Sequence, residues 1–255
     1  MQRLGQHFLK DKKVLERIAG AIESNSVKTI IEIGPGHGEL TSELLKNNPK
    51  SEIISLERDE KLAEAFTKKF SDTNASLYLG DALETLSKVV DTKTKGDYVV
   101  IGNIPYYITG FLFRVLGELK NKPKKIVLLI QNEVAERVVA NPPEMNRLAA
   151  SVQFWGKPEI ILTVPSGAFS PPPKVHSAVI TITPEKKKPS ISEEKYYATV
   201  RLLFAQPRKT VLNNLSTNLS KEKAAELLKK LSISPQSRPQ NLNIQEIIEI
   251  AKEIS

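Results

Sequence analysis

The chain of 255 residues contains no cysteine. Disulfides, thiolate nucleophiles, zinc–cysteine sites and iron–sulfur clusters are thereby excluded. Its three histidines, His7, His37 and His176, are scattered through the sequence and show no metal-ligand spacing, so no metal site is expected. Long apolar runs are also missing. No stretch approaches the roughly 18 apolar residues of a membrane span, and the opening MQRLGQHFLKDKK lacks the apolar segment of a secretory signal. A cytoplasmic protein is expected.

What is present suits a soluble globular chain. A hydrophobic content of 40% can supply a sizeable core, and 26% charged residues can cover it. The length fits one large domain or a large and a small one. The net charge is +8, and it is unevenly spread. Residues 186–255 carry 13 Lys and Arg against 7 Asp and Glu, so most of the excess sits in the last quarter. Solvated helix faces and a nucleic-acid surface account for that charge equally well.

The first two-thirds alternates short β-branched runs with amphipathic patterns. TIIEI (29–33), EIISLE (52–57), ASLYL (75–79), DYVVIG (97–102) and KIVLLI (125–130) have the length and apolar continuity of buried parallel strands. Between them ELTSELLKN, EKLAEAFTKKF and FLFRVLGELK space their apolar residues as helices do. Such alternation predicts a mostly parallel α/β sheet covered on both faces. EIILTV (159–164) and SAVITIT (177–183) have no helical pattern between them and predict an antiparallel hairpin at the sheet edge. PEKKKPS (184–190) reads as a linker. The remainder is helical in pattern, and Asn243 with Glu246 has the form of a capping box for the last helix. The expected domains are therefore 1–185, Rossmann-like, and 186–255, small, basic and all-helical.

EIGPGHGEL (32–40) follows the first of these strands and opens a helix. Gly34, Gly36 and Gly38 permit a tight turn with a ligand lying against the backbone. Glu57 ends the second strand, where a carboxylate meets ribose hydroxyls in this topology. The glycines fall at every second position and not in the GxGxxG spacing of dinucleotide sites. Glu32, immediately before the loop, suits a cationic or amino-bearing ligand better than a diphosphate. S-adenosylmethionine carries a sulfonium and an amino group and no phosphate. Asp81, in GDA (80–82) after the third strand, could accept from the exocyclic amine of its adenine, and taken alone reads equally as a helix N-cap.

IGNIPYYITG, from Ile101, ends the fourth strand at the sheet edge where ligands bind in open α/β folds. An exocyclic base nitrogen is a poor nucleophile because its lone pair is delocalised into the ring. Acceptors aimed at its two protons draw the lone pair out of conjugation. Asn103 offers a side-chain carbonyl, Pro105 fixes a neighbouring backbone carbonyl, and Tyr106 gives a flat face for a base taken out of its stack. Orientation and electrostatics would do most of the work. In isolation the same residues read as a turn former, a strand terminator and a core ring.

GQHFL, EIGPGHGELT, LER, GDA, GNIPYYI, AFSPPPKVHSAV and QPRKTVLNNL occur in the order found in the ribosomal RNA adenine N6-dimethyltransferase family, which the chain resembles nearly end to end. The resemblance implies a methyltransferase domain with a helical RNA-contacting domain. It implies S-adenosylmethionine as donor, and dimethylation at N6 of two adjacent adenosines near the 3′ end of small-subunit rRNA during ribosome assembly. Cofactor contacts would fall on His7, Leu9, Gly34, Gly36, Glu57, Asp81 and Asn103, with GQHFL folding over the cofactor. Some relatives have Asn at the position of His7. Asn103, Ile104, Pro105 and Tyr106 would surround the target base, with Phe169 as a second aromatic wall. Lys174, in the extended SPPPKVHS segment, and Arg208 and Lys209, at the start of a helix, would meet RNA phosphates. Nothing points to an obligate dimer, and a monomer working on the assembling small subunit is expected. Three rivals share the fold: an erythromycin-resistance-type methyltransferase of large-subunit rRNA, a non-catalytic RNA-binding assembly factor, and a DNA adenine methyltransferase.

Overall fold

Thr29–Ile33 (β2) is buried along its whole length, as a strand covered on both faces must be. In the computed structural model, which describes residues 7–23, 27–94, 96–186 and 191–254, this strand lies inside a seven-stranded sheet. Its parallel neighbours are β3 (Glu52–Glu57) and β5 (Tyr98–Asn103), with Ile31 opposite Ile54 on one side and Val100 on the other. Outward from them lie β4 (Ala75–Leu79) and β6 (Lys125–Gln131), and the order ends with β9 (Ser177–Pro184) and β7 (Gly156–Val164), giving β4-β3-β2-β5-β6-β9-β7. The sheet is mixed, because β9 runs antiparallel to β6. The expected edge strands are therefore sheet neighbours, but the later one inserts between β6 and the earlier one.

Chain order reverses between β2 and β5. The loops leaving their carboxyl ends diverge there, which opens a crevice at the top of the sheet. Ile33 pairs with Gly102, so the glycine loop and Asn103 leave the sheet side by side. A Cβ at Gly102 would sit 2.4 Å from the Ile33 carbonyl oxygen, so the last position of the pairing admits no side chain.

The helices read from the sequence form as α2 (Glu39–Asn47), α3 (Glu60–Lys69) and α5 (Thr109–Glu118). Two helices of the same unit lay outside that reading: α1 (Lys12–Gly20), capped by Asp11, and α4 (Ala82–Lys93), capped by Asp81. Two short strands were also missed, β1 (Phe8–Leu9) and β8 (Phe169–Ser170), which pair with each other antiparallel. Val14, Ile18, Leu40 and Leu44 join Ile30, Val99 and Val127 in the core of this unit.

The chain forms two compact units. One holds the chain up to Ala135 together with Pro158–Pro184; the other joins Glu136–Lys157 to the chain from Glu185. The sequence reading placed 136–157 in the first domain. Their apolar residues explain the regrouping: Ala149, Ala150 and Phe154 are buried with Tyr196, Val200 and Leu203. Phe154 stacks on Tyr196 at 3.8 Å between ring centroids, and the Tyr196 hydroxyl donates to the Ala150 carbonyl at 2.9 Å. The second unit contains α7 (Arg147–Gln153), α8 (Glu193–Leu203), α9 (Val211–Leu215), α10 (Lys221–Lys230) and α11 (Ile244–Glu253). Asn243 and Glu246 form the expected capping box of α11, each side chain accepting from the other's backbone N–H. Of the expected linker, residues 187–190 lie outside the described residues. Among the described residues no helix is long and apolar enough to cross a membrane.

Candidate active site

The glycine loop turns on backbone that side chains disfavour. Gly36 has φ +57°, and a Cβ there would lie 3.0 Å from the Phe8 ring. That ring covers the loop and also meets the His37 ring at 4.3 Å between centroids. Gly38, at φ +80°, heads α2, and a Cβ there would fall 2.4 Å from the Phe70 ring. The loop is thus sandwiched between two aromatic rings and leaves its backbone open toward the crevice. Phe8 was not singled out from the sequence. A bare Gly36 implies that something fills the space above it, and only the three-dimensional pairing of β1 says what.

Glu57 stands at the carboxyl end of β3. Its Oε1 accepts from the N–H groups of Arg58 and Asp59 at 2.8 and 2.9 Å. One oxygen is thereby fixed, on a residue only 8% exposed that lines the crevice. Asp81 is the N-cap of α4, as one of its two sequence readings has it. Its Oδ1 caps α4 by accepting from Leu83 N–H at 2.9 Å, while Oδ2 lies 3.5 Å from Arg58 Nη1 and the residue sits on a cavity wall. Glu32 is placed differently from expectation. It is fully buried behind the loop, its Oε2 accepting from Thr41 and Ser55 hydroxyls at 2.7 and 2.9 Å. Burial pushes its carboxyl up to about 7, because desolvation outweighs those two hydrogen bonds.

Asn103 ends β5 beside the loop. Its amide nitrogen donates to the His7 carbonyl at 3.1 Å, which fixes the flip of the amide and turns Oδ1 away from that contact. The Ile104 N–H donates to the Leu129 carbonyl at 3.0 Å, and the Pro105 carbonyl accepts from Ile108 N–H at 3.1 Å, so the turn is tied at both ends. The Tyr106 hydroxyl bonds to the buried Ser177 Oγ at 2.8 Å, which holds the ring in one orientation. Phe169 is buried on β8, pairing with Leu9, and Lys10 N–H donates to the Ala168 carbonyl at 2.8 Å. His7 Nδ1 donates to the Pro171 carbonyl at 2.8 Å, and its ring lies 6.2 Å from Tyr106 with a 29° tilt. The N-terminal segment is therefore strapped to the segment around Phe169, and Lys10 and Glu39 form an ion pair beside the loop.

These pieces enclose a cavity of about 240 Å³. His7, Leu9, Gly34, Gly36 and Glu57 line it together with Asn103, Ile104, Pro105, Tyr106 and Phe169. A smaller space of about 60 Å³ shares Gly34, Glu57, Pro105 and Tyr107 with it and adds Asp81. All the residues read as cofactor- or base-contacting thus come together. The residues read as phosphate contacts do not join them. Lys174 is exposed on the extended segment before β9. Arg208 and Lys209 are exposed in the turn before α9 and not in the helix, whose N-cap is Thr210. That turn is held by the buried Asn214, which accepts from Gln206 N–H and donates to the Gln206 carbonyl, both at 3.1 Å. Among the described residues no cluster of His, Asp or Glu could hold a metal ion.

The ribosomal RNA adenine dimethylase family model matches residues 1–255. The ribosomal RNA small subunit methyltransferase A of Dehalococcoides mccartyi strain CBDB1 is 38% identical over 248 residues, 95% of this chain and 84% of that protein. Its namesake from Mycoplasma capricolum subsp. capricolum is 36% identical over 253 residues, 96% of this chain and 94% of that protein. Among solved structures, a dimethyladenosine transferase from Plasmodium falciparum is 27% identical with a TM-score of 0.80, over 96% of each chain. The 23S rRNA methyltransferase ErmE shares the fold at 22% identity and a TM-score of 0.75, over 96% of this chain and 98% of that one. With the family model matched over residues 1–255 and relatives 36–38% identical over nearly the whole chain, the chain belongs to the ribosomal RNA adenine dimethylases.

Proposed function

We propose that this protein dimethylates N6 of two adjacent adenosines near the 3′ end of small-subunit rRNA, with S-adenosylmethionine as the methyl donor. The observation that carries the reading is a single cavity joining the Asn103–Tyr106 turn to the glycine loop and Glu57. The chain is 36–38% identical to proteins named for small-subunit methylation. With ErmE the fold alone is shared.

The residues present fit the cofactor. Glu57 has one oxygen locked by two backbone donors and one free for ribose hydroxyls. Gly34 and Gly36, at φ +67° and +57°, turn the loop sharply and both line the cavity, so loop backbone borders the space the cofactor would take. When bound, S-adenosylmethionine supplies an electrophilic methyl on a sulfonium. The chain's own residues prepare the nucleophile. Asn103 Oδ1 accepts one proton of the adenine amine. With the Pro105 carbonyl taken by Ile108, the Ile104 carbonyl is the backbone acceptor for the other. Tyr106 and Phe169 hold the base between aromatic faces. Drawn out of conjugation in this way, the amine lone pair would face the donor's methyl group while the nitrogen still holds its protons, so no general base would have to act beforehand.

Glu57→Ala is expected to weaken cofactor binding about tenfold to a hundredfold, the scale of hydrogen bonds to a charged acceptor, as read by calorimetry. An unchanged affinity would remove Glu57 from the cofactor site. Lys174, Arg208 and Lys209 meet RNA phosphates; none pairs with an acid among the described residues, and Asn214 stiffens the turn that carries two of them. The protein acts as a monomer on the assembling small subunit in the cytoplasm.

The decisive test incubates undermethylated small ribosomal subunits with the protein and labelled cofactor, followed by mass spectrometry of the rRNA nucleosides. N6-dimethyladenosine in small-subunit rRNA is the expected product. Label confined to naked large-subunit rRNA or to duplex DNA would overturn the proposal, as would no transfer at all.

A further inference from the structure

The chain is poor in aromatic residues, at 6%. Among the described residues only two, Tyr107 and Phe111, are large apolar side chains of aromatic type left in solvent, at 59% and 64% exposure. They are four residues apart on the continuous helical run from Tyr106 through α5, so they share one face. The opposite face of the same helix is fully used, with Leu112, Phe113 and Leu116 buried. Nothing in the packing of α5 therefore requires a ring at position 111. Gly110, between the two rings, faces open space: a Cβ built there meets no atom within 4 Å. Arg114, three residues beyond Phe111, keeps 77% of its side chain exposed and is steadied by Glu118 at 2.8 Å.

This face is continuous with the active site, because Tyr107 follows Tyr106 and lines both the cavity and the smaller space beside it. A base turned out into the cavity leaves its neighbour in the strand without a stacking partner on that side. Exposed aromatic rings with a nearby guanidinium are the side chains that take up single-stranded bases.

We infer that Phe111, next to Tyr107 at the cavity rim, is a stacking platform for the nucleotide adjacent to the adenosine being methylated. The inference rests on the proposed function and extends it to the second of the two adenosines. While one occupies the cavity, the other lies on the platform, and exchanging them presents the second amine to the same site. Phe111 acts by positioning RNA and touches neither the reacting nitrogen nor the cofactor.

The test is steady-state methyl transfer to undermethylated small subunits by the full chain carrying Phe111→Ala, Phe111→Leu or Phe111→Trp, with cofactor affinity measured by calorimetry. Phe111→Ala should raise KM for the subunit about tenfold, the scale of one lost base–aromatic stack, with kcat within twofold and cofactor affinity unchanged. Phe111→Trp should restore KM, and Phe111→Leu should not. A KM within twofold of wild type for Phe111→Ala overturns the platform. Full restoration by Phe111→Leu overturns it too, since the face would then meet an apolar protein partner and not a base. A wild type that transfers nothing to small subunits overturns the proposed function and the platform together, so the two failures are distinguishable.

Discussion

Replacing Asn103 with alanine is expected to lower kcat for methyl transfer about 10²- to 10³-fold, the scale on which one preorganised dipole at a reacting centre is felt. The ground for so large an effect is the orientation of the amide. Its NH₂ is engaged by the His7 carbonyl at 3.1 Å, so Oδ1 is presented as an acceptor before any substrate arrives, with no reorganisation left to the moment of reaction. Alanine removes the acceptor and also frees the His7 carbonyl, loosening one tie of the N-terminal segment. The remaining ties, from His7 Nδ1 to Pro171 and from Lys10 N–H to Ala168, should keep that segment in place. The variant is therefore expected to melt within a few degrees of wild type and to bind S-adenosylmethionine within about tenfold of it, since most of the residues proposed to hold the cofactor lie elsewhere on the cavity. Single-turnover transfer by a folded, cofactor-bound Asn103→Ala protein at a rate near wild type would show that Asn103 is a turn former and nothing more.

The difference between Asn103 and Phe8 shows what the sequence could disclose. Asn103 is legible because the pattern that marks it is local. It ends an apolar strand, a proline follows two residues later, and an aromatic pair comes next, all within one turn. The central strands were legible for a similar reason: Thr29–Ile33 is buried on both faces and so must be continuously apolar, which is a property of five consecutive residues. Phe8 works at a distance. It covers Gly36 because β1 pairs with β8, whose residues lie about 160 positions later, and two-residue strands leave no periodicity to read. The same limit applies to β9. Its composition says strand, but only the packed sheet decides that it inserts beside β6 before β7. The regrouping of 136–157 follows from Phe154 finding Tyr196, two rings whose pairing no local pattern announces. Asp81 is a third kind of case. Cap and ligand readings competed in the sequence, yet a carboxylate has two oxygens, and here one caps α4 while the other lies by Arg58 on the cavity wall.

Glu32 should make the protein less stable as the pH is raised from 4.5 to 7, opposite to the usual behaviour of a native carboxylate. Its carboxyl is moved from the ordinary 4.5 up to about 7, chiefly by burial; the Thr41 and Ser55 hydroxyls lower it by less, and Glu39 and Glu57 add smaller upward pushes. Both hydroxyls bond the same oxygen, and Oε1 has no partner among the described residues, so the charged form is poorly compensated. The native state then holds a proton that the unfolded chain has already lost. Below pH 4.5 both states are protonated and the stabilising contribution is complete; as the pH passes through 7 the folded group ionises and the contribution is gone. A shift of this size corresponds to roughly 3 kcal/mol. The measurement is the difference in urea-derived unfolding free energy between wild type and Glu32→Gln across pH 4.5–8, in which the titrations common to both proteins cancel. That difference should move by about 3 kcal/mol against the wild type as the pH rises, because glutamine does not titrate. Parallel stability curves would mean that Glu32 is ionised in the fold at low pH, with water or the loop backbone reaching Oε1.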